Sequence, residues 1–198
     1  MKATVKERIR ILDFDIEARP LSYLGSDFTT REITAIAWCW VGEGSEPEVR
    51  AIPEVSIIKM LGDFLKVYNQ AGMVTGHYVR GYDLPTINGA LLELGEAPLQ
   101  SKLAHDTSID LIKRSGISGS QENLGAMLGL DAPKIGMNQH KWRTANRLTK
   151  EGIALTKERV VGDVIQHMEL RAALLAQGSL GPPRMWTSSP TPYASYTP

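Results

Sequence analysis

Cysteine is almost absent from this chain. Cys39 is the only one among 198 residues, so no internal disulfide can form and no thiolate pair can hold zinc. It lies inside the apolar run AIAWCWV and is expected to fill core space rather than act as a nucleophile. Long hydrophobic runs are missing too: no segment approaches the roughly 20 apolar residues of a membrane span. An excess of either charge is also lacking, because 22 basic residues balance 22 acidic ones. A surface that attracts polyanions everywhere is thereby excluded, though a local basic patch is not. The four histidines have no zinc-ligand spacing, and no Walker-type glycine loop occurs. The opening residues MKATVKERIR read as a charged lead into a strand rather than a secretory leader, so a reducing cytoplasm is the expected setting.

What remains is the composition of a soluble α/β domain, 42% hydrophobic and 22% charged. Strands are expected at 9–17, 32–41, 48–52 and 73–77, with a fifth in LAHDT. Helices are expected from Val55 to Tyr68, from about Pro85 to Gly95, through SIDLIKR, from Ser120 to Gly129, and from about Lys150 to Gln177. Strands followed by helices alternating with shorter strands imply a mixed sheet with helices on its faces. Residues 1–178 form one expected domain. The Pro-rich tail 179–198 has one charged side chain, Arg184, and too little to bury to order itself independently. It reads as a flexible extension or, through Trp186, Tyr193 and Tyr196, as a docking segment for a partner.

The first strand carries the chemistry. Asp13, Asp15 and Glu17 alternate with Leu12, Phe14 and Ile16, so one face of the strand is acidic and the other apolar. Three carboxylates at roughly 6.5 Å intervals repel one another unless cations neutralise them. Two divalent ions about 4 Å apart are a usual solution. A basic segment lies later in the chain: Lys134, Lys141, Arg143, Arg147, Lys150, Lys157 and Arg159, against Glu151 and Glu158. Cations for phosphates beside carboxylates for metals suit a phosphodiester substrate. Trp142, within that segment, either packs a helix or stacks on a base.

Three segments resemble the motifs of the DEDD 3′→5′ exonucleases. FDIEARP is similar to the first, an Asp-x-Glu at the end of a strand, and places Asp15 and Glu17 there. VTGHYVRGYDLPTI resembles the second, with His77 at the strand end and Tyr82-Asp83 before a helix. Tyr78 stands where the family often has Asn. ERVVGDVIQHMELRAALL resembles the third, an Asp on a long C-terminal helix, here Asp163. The family's Tyr four residues before this Asp, or His five before, is replaced by Arg159 and Glu158. Arg stays protonated and suits a phosphate rather than a proton.

The resemblance spans residues 9–176 and implies an RNase H-like fold with a five-stranded mixed sheet. It implies a stand-alone exonuclease or proofreading subunit, and the chain is similar in general character to exonuclease-like proteins of actinobacterial phages, which would act in the host cytoplasm. The implied catalytic and metal-binding set is Asp15, Glu17, Asp83 and Asp163, holding two Mg²⁺ or Mn²⁺ ions. Arg159, His77 and Tyr82 would bind the single-stranded 3′ end of DNA or RNA, and the tail would meet a replication partner. Asp13 is expected either to support the metal site without touching an ion or to bond the C-terminal half of the chain, since Asp15 and Glu17 already match the family pair. Two alternatives stay open: an RNase H-like endonuclease, and a nucleic-acid-binding accessory protein that kept the acids and lost activity.

Overall fold

The computed structural model describes residues 9–21, 29–112, 115–131 and 135–188. Within these, six strands form one mixed sheet: β1 (Ile11–Pro20), β2 (Arg31–Trp40), β3 (Glu48–Ala51), β4 (Met73–Gly76), β5 (Lys102–Asp106) and β6 (Arg184–Trp186). Their order across the sheet is β3-β2-β1-β4-β5-β6. The β1–β2, β2–β3 and β5–β6 pairs are antiparallel, whereas β1–β4 and β4–β5 are parallel. Five helices complete the described fold: α1 (Ile57–Gln70), α2 (Asp83–Glu93), α3 (Gln121–Met127), α4 (Gln139–Asn146) and α5 (Lys150–Ala176).

The acidic and apolar alternation of β1 decides how the layers stack. Leu12, Phe14 and Ile16 enter the larger core with Ile36, Trp38, Met60, Phe64, Leu84 and Ile87, under α1 and α2. Phe64 is central, its ring 4.9 Å from Phe14, 6.1 Å from Trp38 and 5.8 Å from Tyr68. The opposite face of β2 presents Ala35, Ala37 and Cys39, which pack with Ile153, Val160 and Val164 of α5. Cys39 is therefore a buried core residue. Small side chains on this face let a helix lie close to the sheet, as the contact classes of packed layers require.

α5 starts under a Thr149 cap whose hydroxyl accepts the Gly152 N–H at 3.2 Å. Gly152 is required by space: a Cβ there would sit 2.3 Å from the Thr144 carbonyl oxygen of α4. The helix ends at Ala176, and Gly178, just past the Gln177 cap, has a φ of +64° that suits glycine there.

Four expectations need correction. The sheet has six strands rather than five. Residues 179–188, expected within the tail, supply the sixth: Leu180 is buried, Leu111 bridges to it, and Lys102 pairs with Trp186 in register. Trp186 packs against the larger core, so its apolar ring finds its partner inside this chain. Tyr193 and Tyr196 lie outside the described residues, as does Lys134 of the basic segment. The helix expected through SIDLIKR is a turn over its described part, 108–112. Asp106 accepts the N–H groups of Ser108 and Ile109, both at 3.0 Å, and Leu111 is drawn to Leu180. Finally, α2 begins at Asp83, two residues before Pro85, and α4 was not foreseen. Its only buried residue is Ala145, so it shows almost no apolar period, and its clearest mark is the Asn138 cap accepting the Lys141 N–H at 2.9 Å.

Candidate metal centre and substrate cavity

Asp13, Asp15 and Glu17 pair across the sheet with Cys39, Ala37 and Ala35. Each acid thus faces a short neighbour, and the space above is left for what α5 brings. The buried stripe of α5 runs Ile153, Thr156, Val160, Asp163, Val164, Gln166, His167, Leu170, Leu174. Its apolar character breaks at Asp163, Gln166 and His167, where the helix crosses the acids of β1. A register shift between Glu17 and Ala18 marks a bulge just past the acids, where Thr34 donates its hydroxyl to the Glu17 carbonyl at 3.1 Å.

Carboxylate oxygens of Asp15, Glu17 and Asp163 all lie within 4.8 Å of one another. Two elements about 150 residues apart in sequence thereby meet, as the motifs implied. The donor set is entirely oxygen, which fits hard divalent ions such as Mg²⁺ or Mn²⁺ and not zinc of the thiolate type. Asp83 lines the same cavity but is not in this triple; its carboxylate accepts the Ile16 N–H at 3.2 Å. Burial raises its pKa well above the ordinary 3.8, the backbone bonds oppose this, and the nearby Asp106 and Glu17 charges add to it.

The cavity over these acids measures about 780 Å³. Its wall includes His77, Tyr78, Tyr82, Trp142 and Arg159, so each residue expected to bind substrate borders it. Arg159 reaches back among the acids. Its Nε lies 2.5 Å from Glu17 Oε1, its Nη2 3.4 Å from Asp163 Oδ2, and its Nη1 donates to the Ile135 carbonyl at 3.0 Å. The guanidinium also sits 5.1 Å from the ring of Trp142, which borders the same cavity. Glu158, which precedes Arg159, is exposed and does not line the cavity. Tyr82 caps no helix N–H through its side chain; its hydroxyl is pushed up by burial, with Arg31 5.2 Å from the ring opposing that.

Sequence reasoning missed the device that shapes the second motif. Asp106, at the end of β5, accepts the Tyr78 N–H at 3.0 Å and the Arg80 N–H at 2.9 Å. Arg80 in turn forms an ion pair with Asp110, which also accepts the Asp106 N–H at 3.0 Å. These bonds hold Tyr78 at φ +64°, a region where Asn is far more at ease than an aromatic residue. The legible signal was HDTSID, an Asp followed by Ser and another Asp, which favours local side-chain turns over helix. Asp13 bonds the C-terminal half of the chain, with both carboxylate oxygens against His167 Nδ1 at 2.9 and 2.7 Å. His105 and His167 are buried and hydrogen-bonded, and His140 is exposed.

The fold and site thus define an α/β protein with a six-stranded mixed sheet and a carboxylate cluster able to bind metal. No family model matches the chain, and no curated protein matches it. Among solved structures it is similar to the family B DNA polymerase of the hyperthermophilic archaeon Pyrobaculum calidifontis, with a TM-score of 0.63 at 15% identity. The match covers 85% of this chain and 25% of the polymerase, so the chain spans about a quarter of that protein's length. At this identity the likeness is one of fold. No helix among the described residues is long and apolar enough to cross a membrane.

Proposed function

We propose that the chain is a metal-dependent 3′→5′ exonuclease acting on single-stranded ends of DNA or RNA. The observation that carries this reading is the meeting of Asp15, Glu17 and Asp163 within 4.8 Å at the wall of an open cavity. Fold similarity to a DNA polymerase supports it, as do the three motif resemblances.

Asp15, Glu17 and Asp163 would hold divalent Mg²⁺ or Mn²⁺, with Asp83 joining from the start of α2. Bound there, two such ions would neutralise phosphate charge and make water more acidic. The protein's own residues divide the remaining work. Arg159 carries a forked donor at the cavity and would contact a phosphate oxygen once a cation takes over its contacts with Glu17 and Asp163. Tyr78, 50% exposed, offers a face for stacking on a terminal base. Trp142 would keep Arg159 aimed. Arg159 stands where the family has Tyr, and Glu158, where it has His, is exposed outside the cavity, so the chemistry would lean on the cations.

The test is stepwise shortening of end-labelled DNA and RNA in Mg²⁺ or Mn²⁺, compared with chelator. Mononucleotide release from the 3′ end is expected. Cutting of closed circles would instead identify an endonuclease. One observation favours the lapsed accessory protein: Arg159 already balances part of the acidic charge. Binding of oligonucleotide without any cleavage, in either metal, would establish that reading.

A further inference from the structure

We infer that Tyr78, laid against Gly81, is a preset stacking platform that makes the cavity select strand ends carrying a terminal base, whichever base it is, over abasic ends. The ligand rests on the nuclease reading; the geometry of the platform does not.

The turn that carries the ring is pinned from several sides. Asp106 accepts the Tyr78 N–H at 3.0 Å and the Arg80 N–H at 2.9 Å. The Tyr78 carbonyl accepts the Gly81 N–H at 3.0 Å and the Tyr82 N–H at 2.9 Å, and Val79 is fully buried in the larger core. Within this turn the ring folds back on Gly81. A Cβ built at Gly81 would lie 2.5 Å from Tyr78 Cε2 and 2.9 Å from Cε1, with Cζ nearer still. No point beside the edge of a planar six-membered ring is that close to all three atoms, so the glycine sits against the face of the ring. Gly81 does not have a left-handed φ, so its lack of a side chain answers to the ring and not to its own backbone.

Tyr78 is costly where it stands. Its φ of +64° is an outlier for a bulky residue, and the residue is 50% exposed to water. Burial therefore does not offset the backbone strain, and a strained residue at a cavity wall points to a ligand. Gly81 covers one face, and the residue lines the cavity over the carboxylates. Ile117, 42% exposed, is a second apolar side chain on that wall. A flat aromatic surface in a cavity otherwise lined by carboxylates and Arg159 suits a nucleobase whose phosphate lies nearby. Every base has a π-face, so stacking registers that a base is present with little regard to which one. Tyr78 is the group that would touch substrate, and Gly81 is a positioning residue.

The test is fluorescence anisotropy of short 5′-labelled DNA strands with the full chain, in chelator to prevent cleavage and at low salt. The strands differ only in whether the 3′-terminal nucleotide has its base or lacks it. The base-bearing end should bind about 5- to 100-fold more tightly, and ends in A, C, G and T should fall close together beside that gap. Tyr78→Asn should remove the gap while the unfolding midpoint stays equal or rises, because Asn tolerates the left-handed φ. Tyr78→Phe should keep the gap, since the ring alone is required. Gly81→Ala should narrow it by tilting the ring off its seat. Equal affinity for the two ends in the unaltered chain, absence of binding to either, preference for one base alone, or a gap that survives Tyr78→Asn overturns the inference. A gap that survives Gly81→Ala overturns the role given to Gly81. A base-dependent gap in a chain that cleaves neither DNA nor RNA in Mg²⁺ or Mn²⁺ breaks the nuclease reading and leaves the platform standing.

Discussion

The two faces of the sheet are built from the same strands and to opposite ends. Under α1 and α2, alternate residues of β1 and β2 close into an aromatic and aliphatic core in which Phe14, Trp38, Phe64 and Tyr68 interlock. Under α5 the intervening residues are carboxylates on β1 and Ala, Ala and Cys on β2, met by a helix stripe that turns polar midway. One face supplies stability through burial of large side chains. The other uses small side chains to leave room and gathers like charges, which lowers stability in exchange for a geometry able to hold a cation. Stability and chemistry are thus separated by the period-2 alternation of a strand.

The sharpest way to break this division is to exchange the effects. Phe64→Ala, at a fully buried position of the apolar face, should lower unfolding free energy by about 3–5 kcal/mol in urea titrations. The folded fraction should keep its affinity for Mn²⁺. A loss of metal binding equal to that of an acid variant would show that the faces are not independent. Asp15→Asn or Asp163→Asn should do the reverse, reducing metal-dependent cleavage by about 100-fold or more while leaving the unfolding midpoint equal or higher. Isothermal titration with Mn²⁺ and denaturant melts check the two halves.

A smaller effect is expected within the acidic face itself. Asp13→Asn should retain much more cleavage than Asp15→Asn, because Asp13 faces His167 rather than the carboxylate triple. Equal losses would place Asp13 in the metal site. Asp83 gives a pH signature. Its folded pKa is raised, mainly by burial, so the folded state holds this proton above pH 3.8 where the unfolded state releases it. Metal-free stability should therefore fall as pH climbs from that value through the raised pKa, and Asp83→Asn should flatten the decline in a pH series of melts. The smallest change concerns Arg159→Ala, which should weaken oligonucleotide binding and lower its logarithmic salt slope by about one, with the pH profile of cleavage little altered.

Much of the site was legible because strand and helix periods convert directly into faces. Asp15 and Glu17 two apart on a strand, and Arg159 four before Asp163 on a helix, must each share a side. Asp13 was set apart only because Asp15 and Glu17 already matched the motif pair, and its bond to His167 decides between the two places expected for it. The turn at 108–112 and the sixth strand were not, because they depend on who is nearby: Asp106 captures N–H groups that a helix would use, and β5 offers an edge to Arg184–Trp186. α4 was hidden by its polarity, since a helix burying only Ala145 leaves no apolar period to read.

By itself, then, the sequence determined the alternation of β1, the long buried helix and the chemistry of the residues each would offer, because those follow from bonded geometry and side-chain type. Only the tertiary structure decided which of these met. It left Asp83 on the Ile16 N–H beside the triple rather than within it, put Arg159 between Glu17 and Asp163, and joined Asp13 to His77 through two residues from distant segments. Such contacts reflect the few ångströms by which packed layers approach one another. Here the approach of α5 to the sheet was set by Ala35 and Ala37, and that of α4 to α5 by Gly152, residues with no chemistry of their own.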